Sequence, residues 1–220
     1  MTGWTGPLIA KLPAPKRVSS LQALLFALLL AGGAACILWQ FNFFTICLGV
    51  SSLVLVGIYP FMKRITFWPQ TFLGLTFSWG ALMGWSSLRG SLGWEPVVSY
   101  MASFFWIVGY DTLYAYQDIE DDRQIGVKST ALYWGSKGKY LIGGAYGLFS
   151  GGLLVLKCLH PFSWIYGGGI CSVFFFLIMA VYAVDLTDPQ QCLRAFKKNV
   201  GVGAFVWGSF LVENFIKRDV

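Results

Sequence analysis

Half of the ten acidic residues in this chain fall in one stretch, Tyr110-Asp-Thr-Leu-Tyr-Ala-Tyr-Gln-Asp-Ile-Glu-Asp-Asp122. Carboxylates this close repel one another and resist leaving water, so the run calls for a cation. If 111–122 form one continuous helix, Asp111, Tyr114, Asp118 and Asp122 lie at about 0°, 300°, 340° and 20° around its axis. Three carboxylates and a phenol then share a stripe, with Asp121 at its edge and Glu120 facing away. The stripe suits Mg2+, which takes oxygen ligands and keeps positions for water and substrate phosphates. Asp111, Asp118 and Asp122 are therefore candidate metal ligands, and with Tyr114 they form the candidate catalytic set. The alternative is a solvated, helix-capping acidic loop. Register favours the first reading. So does the start of the run directly after Phe104-Phe-Trp-Ile-Val-Gly-Tyr110, an apolar edge where uncompensated charge is costly.

A diphosphate held by such an ion needs further cations. Tyr59-Pro-Phe-Met-Lys-Arg64 supplies two, Lys63 as a point charge and Arg64 as a bidentate fork. The pair would suffice as topology-setting charges alone. Converging on a metal-bound diphosphate, they would stabilise it as a leaving group.

The elements that must position these residues are read from composition. With 56% hydrophobic, 18% aromatic and 12% charged residues, the chain is too apolar for an ordinary soluble domain. Seven apolar stretches have the length of bilayer-crossing helices, roughly 20–39, 43–62, 69–88, 96–112, 140–157, 162–184 and 200–216. None shows barrel-like alternation. The expected fold is thus all-α, a multi-pass transmembrane helical bundle of seven spans forming one domain. Its long connections are 117–139 and 185–199.

The net charge of +6 does not point to nucleic acid, because its placement is topological. Alternating the spans puts twelve of the sixteen Lys and Arg residues on one face, among them Lys63, Arg64, Arg123 and Lys128. That bias marks the cytoplasmic or matrix side, and the acidic cluster shares it. The five cysteines are scattered without metal-ligand spacing, and read as apolar filler. His160 stands alone beside a proline at the opposite face. Small-residue runs such as Ala31-Gly-Gly-Ala-Ala35 read as helix packing. Residues 1–19 match neither a secretory signal nor an Arg-rich transit peptide. They read as a short lead-in, with a bacterial inner membrane the expected location and a mitochondrial inner membrane the alternative.

Two stretches, Tyr59 to Gly84 and Tyr110 to Ala131, resemble the UbiA family of membrane prenyltransferases, and most closely its branch acting on 4-hydroxybenzoate. The likeness runs from about Lys16 to the C-terminus. It implies a helical bundle around a cavity, Mg2+ dependence, and transfer of a long isoprenoid chain from polyprenyl diphosphate to 4-hydroxybenzoate. Asp118 and Asp122 match the family's second motif, Asp-x-x-x-Asp. Tyr59, Lys63 and Arg64 match its Tyr-Pro-x-x-Lys-Arg stretch, and Lys128 would add a diphosphate contact. The family also carries nine spans and an earlier Asn-Asp-x-x-Asp motif, whereas this chain has no Asp or Glu before Glu95. The resemblance thus implies that the first two helices and half of the metal site are absent from this sequence. Homogentisate, a naphthoate or haem as acceptor, and a non-catalytic lipid-binding subunit, are the competing readings.

Overall fold

A computed structural model describes residues 19–160 and 162–216. The expected lead-in, apart from Ser19, lies outside the described residues. So do Lys11, Lys16, Arg17, Lys217 and Arg218.

Among the described residues every regular element is helical. The order is α1 (Ser20–Leu38), α2 (Phe43–Ile65), α3 (Pro69–Arg89), α4 (Trp94–Gln117), α5 (Ile119–Ile125), α6 (Thr130–Trp134), a 3-10 turn (Gly135–Lys137), α7 (Gly138–Leu159), α8 (Trp164–Tyr182) and α9 (Pro189–Ile216). Local signals set their ends. Ser19 and Gln22 cap α1 reciprocally, at 3.2 and 2.8 Å. Asn42 caps α2 by accepting from Thr45 N at 2.9 Å, and its amide donates to Ser86 O at 2.8 Å, which fastens the far end of α3. Pro69 opens α3 where its missing N–H costs nothing. Gly90 ends the same helix in the left-handed region, at φ 67°.

Four stretches are long and apolar enough to cross a bilayer: Ser20–Leu38, Phe43–Ile65, Thr130–Leu159 and Trp164–Tyr182. In lipid such helices satisfy their backbone groups internally. The remaining long helices, α3, α4 and α9, carry more polar residues. Helix α1 has no buried residue and packs chiefly on α2.

Helix α4 is the axis of the bundle and packs on α3, α7 and α9. Its contact with α7 is close because small residues stand at the crossing. A Cβ on Gly152 would come within 2.9 Å of the Ala102 Cβ, and one on Gly109 within 2.6 Å of the Tyr146 ring. The core around this crossing includes Leu113, Tyr146, Phe149, Ile170 and Leu177.

Two sequence expectations need correction. The stretch 185–199, read as a connection, is helical from Pro189, because the side chain of Asp188 accepts from Gln190 N at 2.8 Å and Gln191 N at 3.2 Å and starts α9 early. The stretch 117–139, read as a long polar loop, contains α5 and α6. Both α2 and α4 also run past the apolar stretches expected at 43–62 and 96–112. They carry Lys63 and Tyr114 on helical backbone at one end of the bundle.

Candidate active site

Helix α4 does not continue unbroken through the acidic run. Asp118 has φ −103° and ψ 10°, and its N–H bonds back to Ala115 O at 3.3 Å, a tightened last turn. The single stripe expected over 111–122 is therefore corrected to two pieces. Asp111 and Tyr114 stand on α4, Asp118 at the break and Asp122 on α5. Asp122 N still bonds Asp118 O at 2.8 Å, so α5 departs as a kink and not a free loop. Gly126, left-handed at φ 77°, then stops α5.

On both sides of the break the carboxylates stay within electrostatic reach of one cation. The ammonium of Lys63, from the end of α2, acts on Asp111, Asp118 and Asp122 alike. Asp118 is half-buried and Asp122 is buried. Burial pushes both carboxyls above the ordinary carboxylate value, and Lys63 pulls them partly back. Ser129 lies against Asp122 and also favours its charged form. Asp121, at the edge as expected, adds negative field to both neighbours. Glu120 faces away and pairs with Arg123 at 2.9 Å on the exposed side. Arg64, the next residue after Lys63, is exposed.

Tyr59 is half-buried within electrostatic reach of Asp111. Tyr114 packs its ring on Phe196 of α9, centroids 5.1 Å apart. From there aromatic rings run down the α4–α9 side. Tyr110 meets Phe196 at 5.7 Å, Trp106 meets Tyr110 at 5.5 Å, and Phe149 stacks on Trp106 at 5.4 Å. Asn199 fixes this wall by accepting from Trp106 Nε1 at 3.0 Å and Tyr146 OH at 3.1 Å.

Lys128 lies beside the end of α2 that carries Lys63. Its backbone N–H donates to Lys63 O at 2.7 Å and its ammonium to Ile65 O at 3.0 Å, while the ammonium stands 5.4 Å from the Phe67 ring. It closes the carbonyl end of α2, where a cation also favours the helix dipole. Two residues later, Thr130 N donates to Gln70 Oε1 at 3.1 Å, and the Thr130 and Thr112 hydroxyls meet at 2.9 Å. These bonds hold the segment after α5 against α3 and α4. Sequence reasoning missed Ser129, Gln70 and Phe196. A Ser before a short apolar run is a helix-start signal that could have found the first. The other two act only through distant contacts.

Among the described residues no three His, Cys, Asp or Glu side chains form a ready metal cage. Asp111, Asp118 and Asp122 are separate oxygen donors, each within electrostatic reach of Lys63. That donor set fits an ion such as Mg2+, which uses one or two carboxylates and completes its shell with phosphate oxygens and water. It does not fit a metal held by protein alone.

Fold and site together define an integral membrane protein whose helical bundle carries an acidic cluster at one end, next to a lysine and a wall of aromatic rings. The chain belongs to the UbiA prenyltransferase family, whose model matches residues 11–209. It is 38% identical over 182 residues to a mitochondrial 4-hydroxybenzoate polyprenyltransferase of Aedes aegypti, covering 82% of this chain and 41% of that protein. The protein of the same name from Arabidopsis thaliana is 41% identical over 80% of this chain and 44% of its own length. That from Schizosaccharomyces pombe is 40% identical over 84% and 52%. The chain thus spans about half the length of the curated relatives it matches. In fold it is similar to a UbiA homolog from Aeropyrum pernix K1, with a TM-score of 0.69 at 21% identity over 94% of this chain and 78% of that one. A digeranylgeranylglyceryl phosphate synthase gives 0.70 at 18% identity, covering 93% and 76%.

Proposed function

We propose that residues 20–220 act as one UbiA-like unit of seven spans that transfers a polyprenyl chain from polyprenyl diphosphate to 4-hydroxybenzoate, a step of ubiquinone biosynthesis. The observation carrying this is that Asp111, Asp118 and Asp122 all lie within electrostatic reach of Lys63, beside an aromatic wall, in a chain 38–41% identical to three proteins named for that reaction. Asp118 and Asp122, assisted by Asp111, would hold Mg2+ on the diphosphate, where the ion neutralises charge as the diphosphate leaves.

The chain's own residues then have distinct tasks. Lys63 offsets the carboxylates before substrate arrives and meets the diphosphate afterwards. Arg64, Tyr59 and Lys128 would bind the rest of the diphosphate, or Arg64 would orient the carboxylate of the acceptor. The allylic carbon–oxygen bond breaks with its electron pair going to the diphosphate. The faces of Tyr110, Trp106 and Phe196 would stabilise the allylic cation, and Tyr114 would border it at the lip. The ring carbon beside the acceptor's phenol forms the new bond, and its proton passes to the released diphosphate. The same arrangement would serve homogentisate or naphthoate, so the acceptor rests on the named relatives. Those relatives are named mitochondrial, which favours a mitochondrial over a bacterial inner membrane, with the site on the matrix side.

A second reading is a lipid-binding subunit without catalysis. One assay separates them. Membranes containing the chain are supplied with a polyprenyl diphosphate, 4-hydroxybenzoate and Mg2+, and prenylated product is measured. Asp118→Ala and Asp122→Ala are each expected to lower the rate by about 10²-fold or more. Unchanged rates in both would overturn the site. Absence of product from the unaltered chain would favour the subunit reading.

A further inference from the structure

We propose that the outer groove between α8 and α9 binds one anionic phospholipid, with its phosphate on Arg194 and Lys198 and one acyl chain along Gly201 and Phe205. The groove encloses about 320 Å3 and is lined by Ser172, Val173 and Phe176 of α8 and by Lys198, Gly201, Val202 and Phe205 of α9.

Helical spacing separates this face from the catalytic one. Taking Arg194 as zero, Lys198, Gly201 and Phe205 fall at about 40°, 340° and 20° around α9. Phe196, Asn199 and Gly203, which meet Tyr110, Tyr114 and Trp106, fall at about 200°, 140° and 180°. The groove is therefore on the back of α9 and takes no part in the aromatic wall.

Charge and length along the stripe match a lipid end to end. Arg194 and Lys198 are exposed one turn apart, and Arg194 also acts on Asp188 at the start of α9. From Arg194 to Phe205 the helix rises about 16 Å, which is about half of a 30 Å hydrocarbon core. Cations thus stand at headgroup level and the apolar groove descends through one leaflet. Long basic side chains keep their charge at such a boundary while their stems lie along apolar surface. The groove floor is open, since a Cβ on Gly201 would meet nothing within 4 Å. A zwitterionic lipid would fill the groove equally well but would bring Lys198 no net negative charge, and Arg194 none beyond that of Asp188. Each cation near an anionic lipid is worth roughly 1 kcal/mol, about five-fold.

Native mass spectrometry of the full chain released from nanodiscs tests this. Discs of equal phosphatidylglycerol and phosphatidylcholine are expected to yield one retained phosphatidylglycerol, at least five-fold over phosphatidylcholine. Arg194→Gln with Lys198→Gln should bring the ratio to near one. Gly201→Leu and Ser172→Leu fill the groove from its two walls, and each should abolish retention of the single lipid while leaving the thermal melt of the protein unchanged. Equal retention of both headgroups by the unaltered chain, or retention unaffected by either filling variant, overturns the proposal. So does one-for-one displacement of the phosphatidylglycerol by geranyl diphosphate, which would assign the groove to the prenyl substrate. Failure of the prenylation assay above leaves this result untouched, because the groove shares no residue with the acidic cluster.

Discussion

Lys63 sits within electrostatic reach of three carboxylates and lowers the cost of their charge. Asp118 and Asp122 both have carboxyls raised above the ordinary value by burial. A raised acid binds its proton more tightly folded than unfolded, so it is penalised as pH rises from the ordinary aspartate range through its folded value. Asp122→Asn removes that penalty. It is expected to raise the melting temperature of the metal-free protein near neutral pH, with the gap from the unaltered chain closing as pH falls below the ordinary aspartate range. Differential scanning fluorimetry across that range checks it, and a gap that widens toward acid would contradict the sign. Lys63→Ala should act oppositely. It leaves the carboxylates to repel one another, lowers the melting temperature at neutral pH, and recovers part of the loss when Mg2+ is added. Lys63→Arg should keep most of the stability but not the point-charge geometry, so its prenylation rate should fall more than its melting temperature.

At the scale of elements, α4 does most of the positioning, because it carries Asp111 and Tyr114 on one end while its middle packs on α7. That packing depends on two glycine crossings. Gly109→Leu would drive a side chain into the Tyr146 ring, an overpacking cost of about 1–3 kcal/mol, and should lower both stability and product formation. Asn199 links α9 to the same crossing. Asn199→Leu would leave the Trp106 N–H and Tyr146 O–H without their acceptor, each costing roughly 1–3 kcal/mol. Chemical denaturation in mixed micelles would register either change as an earlier midpoint. An Asn199→Leu protein with an unshifted midpoint would mean that α9 is held by apolar contacts alone. The stop at Asp118 is equally consequential. It turns α5 aside, so Asp122 reaches Ser129 while Glu120 and Arg123 pair on the exposed surface.

At the scale of the whole molecule, seven long helices among the described residues run between two ends, and each end has its own polar fastening. Lys128 and Lys139 bond α2 and α8 carbonyls at the acidic end. At the other end Glu95 meets His160 at 3.3 Å, and the Glu213 carboxylate accepts from Ser163 N at 2.9 Å. His160, solitary in sequence, is thus a link between α7 and α4. If α4 crosses the bilayer, as the proposed seven-span unit requires, Ser136 and Leu92 lie on opposite sides of the membrane. With the five native cysteines replaced by serine, Ser136→Cys and Leu92→Cys in sealed vesicles should react with an impermeant maleimide from opposite faces. Labelling of both from the same face would remove a span between them.

The amino-acid sequence by itself determined the class of structure and the neighbourhood of the candidate site. Long apolar stretches in lipid have no stable alternative to helix, and five acidic residues bordering such a stretch are conspicuous because uncompensated charge there is costly. Both are local properties, readable without knowing what packs on what. Tertiary structure alone decided which cation meets the carboxylates, that Lys128 closes α2, that the acidic helix breaks at Asp118, and that Phe196 of α9 faces Tyr114. Each of these joins residues tens of positions apart, or balances a local helix preference against such a contact. Periodicity records which face a residue occupies, but the partner across from it is set by how the helices pack.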